Sequence, residues 1–151
     1  MKAKDFNPVF AENRRARHDY AVLDTVECGV VLTGTEVKSV RSGGVSLAGS
    51  YAAVLGGELW LLGCDIAAYK FGNRFNHDPK SRRKLLVHAK EVEALRLKSE
   101  AKGLTLVPLK FYLKRGRIKL ELGVCRGKQA HDKRQALKEK AVRRDLERGG
   151  A

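Results

Sequence analysis

Long apolar runs are missing from this chain: no segment approaches the roughly 20 consecutive apolar residues that a membrane-spanning helix requires. The opening "MKAKDFNPVF" lacks the extended apolar stretch of a signal peptide, so a cytoplasmic location away from any membrane is expected. Cysteine is scarce. Cys28, Cys64 and Cys125 are far apart and none lies in a CxxC pair. That spacing does not suggest a zinc site, and an odd count without a secretion signal argues against a disulfide framework. Reduced, buried thiols are expected, with no metal and no cofactor. Aromatic residues make up only 7%, few for a surface that binds single strands by base stacking. Catalytic signatures are also lacking. His77 and Asp78 in "NHDP" could form an acid–base pair, with His88 further on. No second carboxylate, nucleophile motif or phosphate-binding glycine loop accompanies them. A His-Asp pair before proline reads as turn chemistry, so an enzyme is not expected.

Acidic residues are the last shortage. Seventeen Asp and Glu face 31 Lys and Arg, a net charge of +14 and a pI near 10.0. Such an excess favours a polyanionic partner, most simply nucleic acid. The 151 residues, 43% of them hydrophobic, suffice for one core.

Residues 1–17 are polar and basic and end in "NRRAR". "YAVLD" and "CGVVLTG" read as two short strands punctuated by Gly29 and Gly34. In "TEVKSVRSGG", Val37 and Val40 suggest a short helix with Thr35 as N-cap, ending at Gly43-Gly44. "SYAAVLGGELWLLGCDI" reads as a hairpin turning at Gly56-Gly57. Residues 70–84 form a basic loop with Lys70, Arg74, Lys80, Arg82, Arg83 and Lys84 against Asp78 alone. "LLVHAKEVEALRLKSEAKG" is helical in pattern, with Val92 and Leu95 on one face and Glu93–Arg96 and Arg96–Glu100 pairs outside. The clearest signal is "TLVPLKFYLKRGRIKLELGV". Val107, Leu109, Phe111 and Leu113 alternate with Lys110, Tyr112 and Lys114. After the "RG" turn, Ile118, Leu120, Leu122 and Val124 alternate with Arg117, Lys119 and Glu121. About six strands, no βαβ rhythm, no internal repeat and two short helices predict a mainly β fold, a small antiparallel barrel.

Composition breaks near Gly127. Residues 1–126 read as the folded domain and 127–151 as a basic tail. From residue 128 the chain carries eight basic and four acidic side chains. Leu137 and Ala141 share a helical side, but Val142 and Leu146 swing away, so no continuous apolar stripe exists to dock on the barrel. The residues are good helix formers, and isolated helices of this length are marginal in water. The tail is expected to be disordered alone and helical against a phosphate-lined partner, with a solubilising tail as the plainer alternative. Asp132 is placed to cap such a helix, and Lys133 and Arg134 to meet phosphate.

"NRRARHDY", "ECGVVLTGTEVKSVR", "NHDPKSRRKLLVH", "TLVPLKFYLKRGRIKLELGV" and "GKQAHDKR" occur in that order. Together, from Asn13 through Arg134, they resemble the SmpB family, the SsrA-binding proteins of bacterial ribosome rescue. The resemblance implies an oligonucleotide-binding (OB) barrel with flanking helices. It also implies a monomer that binds transfer-messenger RNA and delivers it to stalled ribosomes for trans-translation. The tail would enter the small-subunit decoding centre and the empty mRNA channel, engaging them through Lys128, His131, Asp132, Lys133 and Arg134. The family often has tyrosine where this chain has His131; both rings can stack on a base.

For the domain, the resemblance implies RNA-binding roles for Asn13, with Arg15 beside it, and for Glu27, a carboxylate able to accept from base amines or a 2′-OH. Leu86 is expected to pack in the core and hold the RNA surface in shape. Lys119, next to Lys110 and Lys114 by pairing, is a phosphate contact or a solvated face. Glu36, Lys38 and Lys84 complete the candidates. The alternative function is a ribosomal or general single-stranded RNA-binding structural protein. The RNA that co-purifies discriminates the two.

Overall fold

The computed structural model describes residues 8–69, 76–101 and 103–127. Residues 128–151 lie outside them, so the tail contacts expected at Lys128, His131, Asp132, Lys133 and Arg134 fall beyond the described residues, as do Lys70 and Arg74 of the basic loop.

The chain runs β1 (Val9–Glu12), α1 (Arg14–Asp19), β2 (Tyr20–Val30), α2 (Gly34–Arg41), β3 (Val45–Ser46), β4 (Tyr51–Leu55) and β5 (Glu58–Leu62). Then come β6 (Asp65–Ile66), β7 (Arg83–Leu86), α3 (Ala89–Glu100), β8 (Leu104–Lys114) and β9 (Arg117–Gly127). Six strands close on themselves in the order β8-β4-β5-β7-β2-β9, with β9 returning to β8; β1 adds to the open side of β8. Every pairing is antiparallel. The expected antiparallel architecture of about six strands is this ring, and the short β3–β6 pair lies outside it.

Period two drives the closure. Cys28, Leu59, Leu61, Leu85, Phe111, Leu120 and Leu122 point inward and are essentially inaccessible to water. Every second side chain thus enters this core, except that on β8 the bulge between Pro108 and Lys110 breaks the expected alternation: Leu106 and Phe111 join it, while Val107 and Leu109 pack with Ala16 and Cys125 in a second cluster. The β4–β5 hairpin turns at Gly56-Gly57, both at positive φ (59° and 79°), a backbone that side-chain-bearing residues resist. All three cysteines are free and buried. Burial raises the thiol pKa of Cys28 to about 12 and of Cys64 to about 11, which keeps both protonated and unreactive.

Several expectations are corrected. "YAVLD" and "CGVVLTG" are one strand, β2, because β9 pairs with it from Tyr20 to Gly29 and a bulge between Val22 and Asp24 absorbs the irregularity. The N-cap of α2 is Thr33, not Thr35: Thr33 accepts from the Glu36 amide while the Glu36 carboxylate accepts from the Thr33 amide, a reciprocal capping box. Leu85 and Leu86 belong to β7 rather than to the helix, which starts at Ala89. The polar segment before residue 18 contains β1 and α1. Asn13 caps α1 through its side chain and hands its own backbone N–H to the Leu109 carbonyl at 2.7 Å. On α3, Arg96 does pair with Glu93 and Glu100.

Candidate nucleic-acid interface

The strand register places one row of outward residues across four neighbouring strands. Tyr112 on β8 lies opposite Lys119 on β9, Lys119 opposite Gly29 on β2, and Gly29 opposite Leu86 on β7. The next outward row joins Lys110, Glu121 and Glu27. Outward and inward rows alternate, as the pleat requires: between these two lies the inaccessible row Phe111, Leu120, Cys28.

Leu86 is thus not a core residue. It is 49% exposed, because β7 turns Arg83 and Leu85 inward and Lys84 and Leu86 outward. It leans over Gly29, where a Cβ would sit 3.3 Å from the Leu86 Cβ, so the missing side chain lets the leucine lie flat on the wall. Lys119 likewise differs from expectation. Its direct partners are Tyr112 and Gly29, while Lys110 and Lys114 are diagonal neighbours, because the two-residue turn at Arg115-Gly116 sets Lys114 opposite Arg117 and so Tyr112 opposite Lys119.

Two grooves meet on this wall. One, of about 700 Å³, is lined by Thr25, Glu27, Gly29, Leu86, His88 and Lys119, with Glu91 at the start of α3. The other, of about 460 Å³, is a carboxylate ringed by cations: Glu27 with Lys114, Arg115, Arg117 and Lys119. Among the described residues, Lys119, Arg115 and Arg117 have no carboxylate within ion-pair distance. Glu27 does have partners. The Tyr112 hydroxyl donates to its Oε2, and Lys114 Nζ donates to the same oxygen at 3.1 Å. The Tyr112 hydrogen bond, aided by Lys114 and Lys119, holds the carboxyl below the usual glutamate range against the opposing effect of partial burial. The same contact and burial push the phenol up, burial most, so Tyr112 is the donor. Lys84 reaches the Glu58 carboxylate on β5, and Arg82 lies over the Trp60 ring, its guanidinium 4.3 Å from the centroid.

Glu27, Leu86 and Lys119 are therefore brought together, with Lys84 two residues along the same face. The remaining candidates are not. Asn13 is buried and donates through Nδ2 to the carbonyls of Pro108 and Leu47, at 3.0 and 3.4 Å. Arg15 is open to solvent beside Asp19, on a separate groove with Tyr20 and Tyr51. Lys38 projects from α2 over the Tyr69 ring. Glu36 is only 4% exposed and faces inward, away from any ligand. Its Oε2 takes the Arg83 Nε hydrogen bond at 2.6 Å.

Arg83 is the residue that sequence reasoning misplaced. Counted as a loop cation, it is 2% exposed. Beyond Glu36, its guanidinium donates to the carbonyls of Cys64, Pro79 and Asp78, so the charge and the donors are satisfied together. His77 is also structural: Nε2 meets the Ile66 carbonyl and Nδ1 the Thr35 hydroxyl, each at 2.8 Å. A carbonyl can only accept, so Nε2 carries hydrogen. The turn-chemistry reading of "NHDP" fits this clamp. Tyr112 and Arg117 were missed as site residues. Their period-two placement beside Lys110, Lys114 and Lys119 was the available signal.

No helix among the described residues is long and apolar enough to cross a membrane. Fold and wall together define a small basic β-protein with one outer face arranged for a polyanion. Comparison with known proteins narrows the class. The family model described as SmpB protein matches residues 10–150. An SsrA-binding protein of Staphylococcus saprophyticus is 54% identical over 148 residues, covering 98% of this chain and 96% of the relative. Its counterpart in Staphylococcus aureus strain JH1 is 55% identical over the same length. A solved chain from "tmRNA-SmpB: a journey to the center of the bacterial ribosome" superposes with a TM-score of 0.69 at 51% identity, covering 86% of this chain and 94% of that one. The chain belongs to the SmpB family.

Proposed function

We propose that this protein is an RNA-binding partner of transfer-messenger RNA that carries it to stalled ribosomes in trans-translation, acting in the cytoplasm as a monomer. The observation that carries this reading is family membership joined to the outward row Tyr112–Lys119–Gly29–Leu86 with Glu27 beside it. Lys119, Arg117 and Lys114 supply phosphate contacts, and Glu27 accepts from a base amine or a 2′-OH. Leu86 offers an exposed apolar surface to a ribose or base. Lys84 extends this cationic surface, Arg15 and Lys38 offer cations away from it, and Asn13 and Glu36 act by holding α1 and α2 in place.

Residues 128–151 form the second module in this reading, one residue later than the composition break suggests, because Gly127 still pairs within β9. Lys128, His131, Asp132, Lys133 and Arg134 engage the decoding centre and the empty mRNA channel, Lys133 and Arg134 on phosphate and His131 by stacking. The test is to sequence the RNA cross-linked to the purified protein, separately for the ring and for residues 128–151. One long RNA chargeable with alanine on the ring, and small-subunit ribosomal RNA on the tail, are expected. Mixed RNA of no preferred kind on the ring would instead indicate a general single-strand binder.

A further inference from the structure

Glu27 is a carboxylate in a ring of cations, on a wall expected to face phosphate. An unrestrained carboxylate there has two unattractive options. It can fold back onto Lys114 or Lys119 and cancel their charge, or swing outward and repel phosphate. The structure shows the first of these in a limited form: the carboxylate pairs with Lys114 but not with Lys119, and a tyrosine holds it there. Tyr112 and Lys114 both donate to the same oxygen, Oε2. Among the described residues no donor is assigned to Oε1, and Glu27 lines both grooves.

Tyr112 is well suited to hold this geometry. It is 7% exposed, its ring is flanked by Lys110 at 5.4 Å from the centroid, and its register partner is Lys119. The ring is therefore fixed by packing, and its hydroxyl is a fixed donor. Lys114, on a flexible four-carbon stem, could not fix a carboxylate by itself.

We propose that Tyr112 is a positioning residue for RNA selectivity: it ties down Oε2 of Glu27 and so presents Oε1 as a single acceptor among cations. This deepens the RNA-binding reading and rests on it. The ligand that matches is a nucleotide offering one N–H or O–H donor, a base amine or a 2′-OH, with phosphates on either side for Lys119 and Arg117. A phosphate oxygen at the Oε1 position is rejected, because it brings no proton to the contact. The cations supply affinity, and the tyrosine–glutamate pair supplies register.

The experiment is a double-mutant cycle in the full-length chain: parent, Tyr112→Phe, Glu27→Ala and the double variant. Each is titrated at fixed salt, below the melting range of all four, with transfer-messenger RNA and with a mixed-sequence RNA duplex of equal length. Phenylalanine keeps the ring and removes only the donor. Glu27→Ala is expected to weaken transfer-messenger RNA about tenfold, the worth of one hydrogen bond to a charged group. Tyr112→Phe should weaken it several-fold, and the double variant no more than Glu27→Ala alone. Duplex binding should change little throughout. Losses that simply add, or a Tyr112→Phe effect equal on both RNAs, would overturn the positioning role and leave the proposed function standing. A parent protein that does not prefer transfer-messenger RNA would instead overturn the proposed function.

Discussion

Arg83 and Glu36 are 47 positions apart in the chain and share one buried ion pair. Removing either partner strands the other in the interior, which typically costs about 3–5 kcal/mol. Arg83→Met should therefore lower the denaturant midpoint sharply, by more than any surface lysine change on the same wall. The double change Arg83→Met with Glu36→Gln should recover part of the loss, since no bare charge remains. An unfolding free energy for Arg83→Met within about 0.5 kcal/mol of the parent would remove the basis for this assignment. Glu27 makes the contrasting case. Its carboxyl pKa is lowered, mainly by the Tyr112 hydrogen bond. A lowered carboxylate contributes stability above its unfolded value, about 4.3, and loses it as pH falls through the folded value. The stability gap between parent and Tyr112→Phe should thus be full at pH 7 and shrink as the solution is acidified below that range. Melts at pH 7 and pH 3 check it; a gap that grows on acidification has the wrong sign. The side chain is more than a third exposed, so the gap is modest even when full.

At the scale of elements, α2 depends on its capping box. Thr33→Ala removes the side-chain acceptor for the Glu36 amide, and such losses cost about 1 kcal/mol. Thr35→Ala leaves that box intact and instead removes the hydroxyl on His77. Thermal melts of the two variants should rank Thr33→Ala as the costlier if helix capping dominates this end of the fold; the opposite order would make the His77 clamp the stronger tie. The two threonines also show where the sequence was legible. Both can cap a helix, and the chain alone carries no mark of which one starts it. Only the reciprocal bond from Glu36 to Thr33 decides, and the pattern Thr-x-x-Glu was there to be found. The β8–β9 hairpin was legible because eleven-residue strands repeat the period-two pattern many times over; the bulge that sends Val107 and Leu109 into a different cluster from Phe111 was not. Leu86 was not. In a four-residue strand beside a helix, two leucines in a row fit either period, and only pairing with Gly29 and Val30 fixes which one faces out. Arg83 failed for a related reason: burial of a charge depends on a distant partner that local pattern cannot reveal. Glu27 and Lys119 were placed as candidates, but the tyrosine that organises them needed the cross-strand register to be seen.

For the whole molecule, the proposed function gives separate tasks to the ring and to the segment beyond it. β9 runs to Gly127, which pairs with Tyr20 at the far end of β2. A cut after Gly127 keeps every strand pair of the ring, whereas a cut a residue or more earlier begins to remove one. The removed segment holds eight basic and four acidic residues. It therefore withdraws positive charge but none of the wall built by Tyr112, Lys119, Gly29 and Leu86. The truncated chain should melt like the parent and bind transfer-messenger RNA with similar affinity. Its salt dependence should hardly change, because each phosphate contact adds about 0.7–0.9 to the slope of log affinity against log salt, and the contacts of the ring remain. Tagging of a stalled nascent chain, by contrast, should be lost. Within the tail, replacing Asp132, Lys133 and Arg134 together by alanine should reproduce the tagging defect while sparing RNA binding. It should also flatten the salt dependence of ribosome engagement by about two contacts' worth. Parallel RNA titrations and tagging assays on the parent, the truncation and the triple variant separate the outcomes. A truncated chain that loses RNA affinity as completely as tagging would mean that the tail and the ring form one RNA-binding unit rather than two modules.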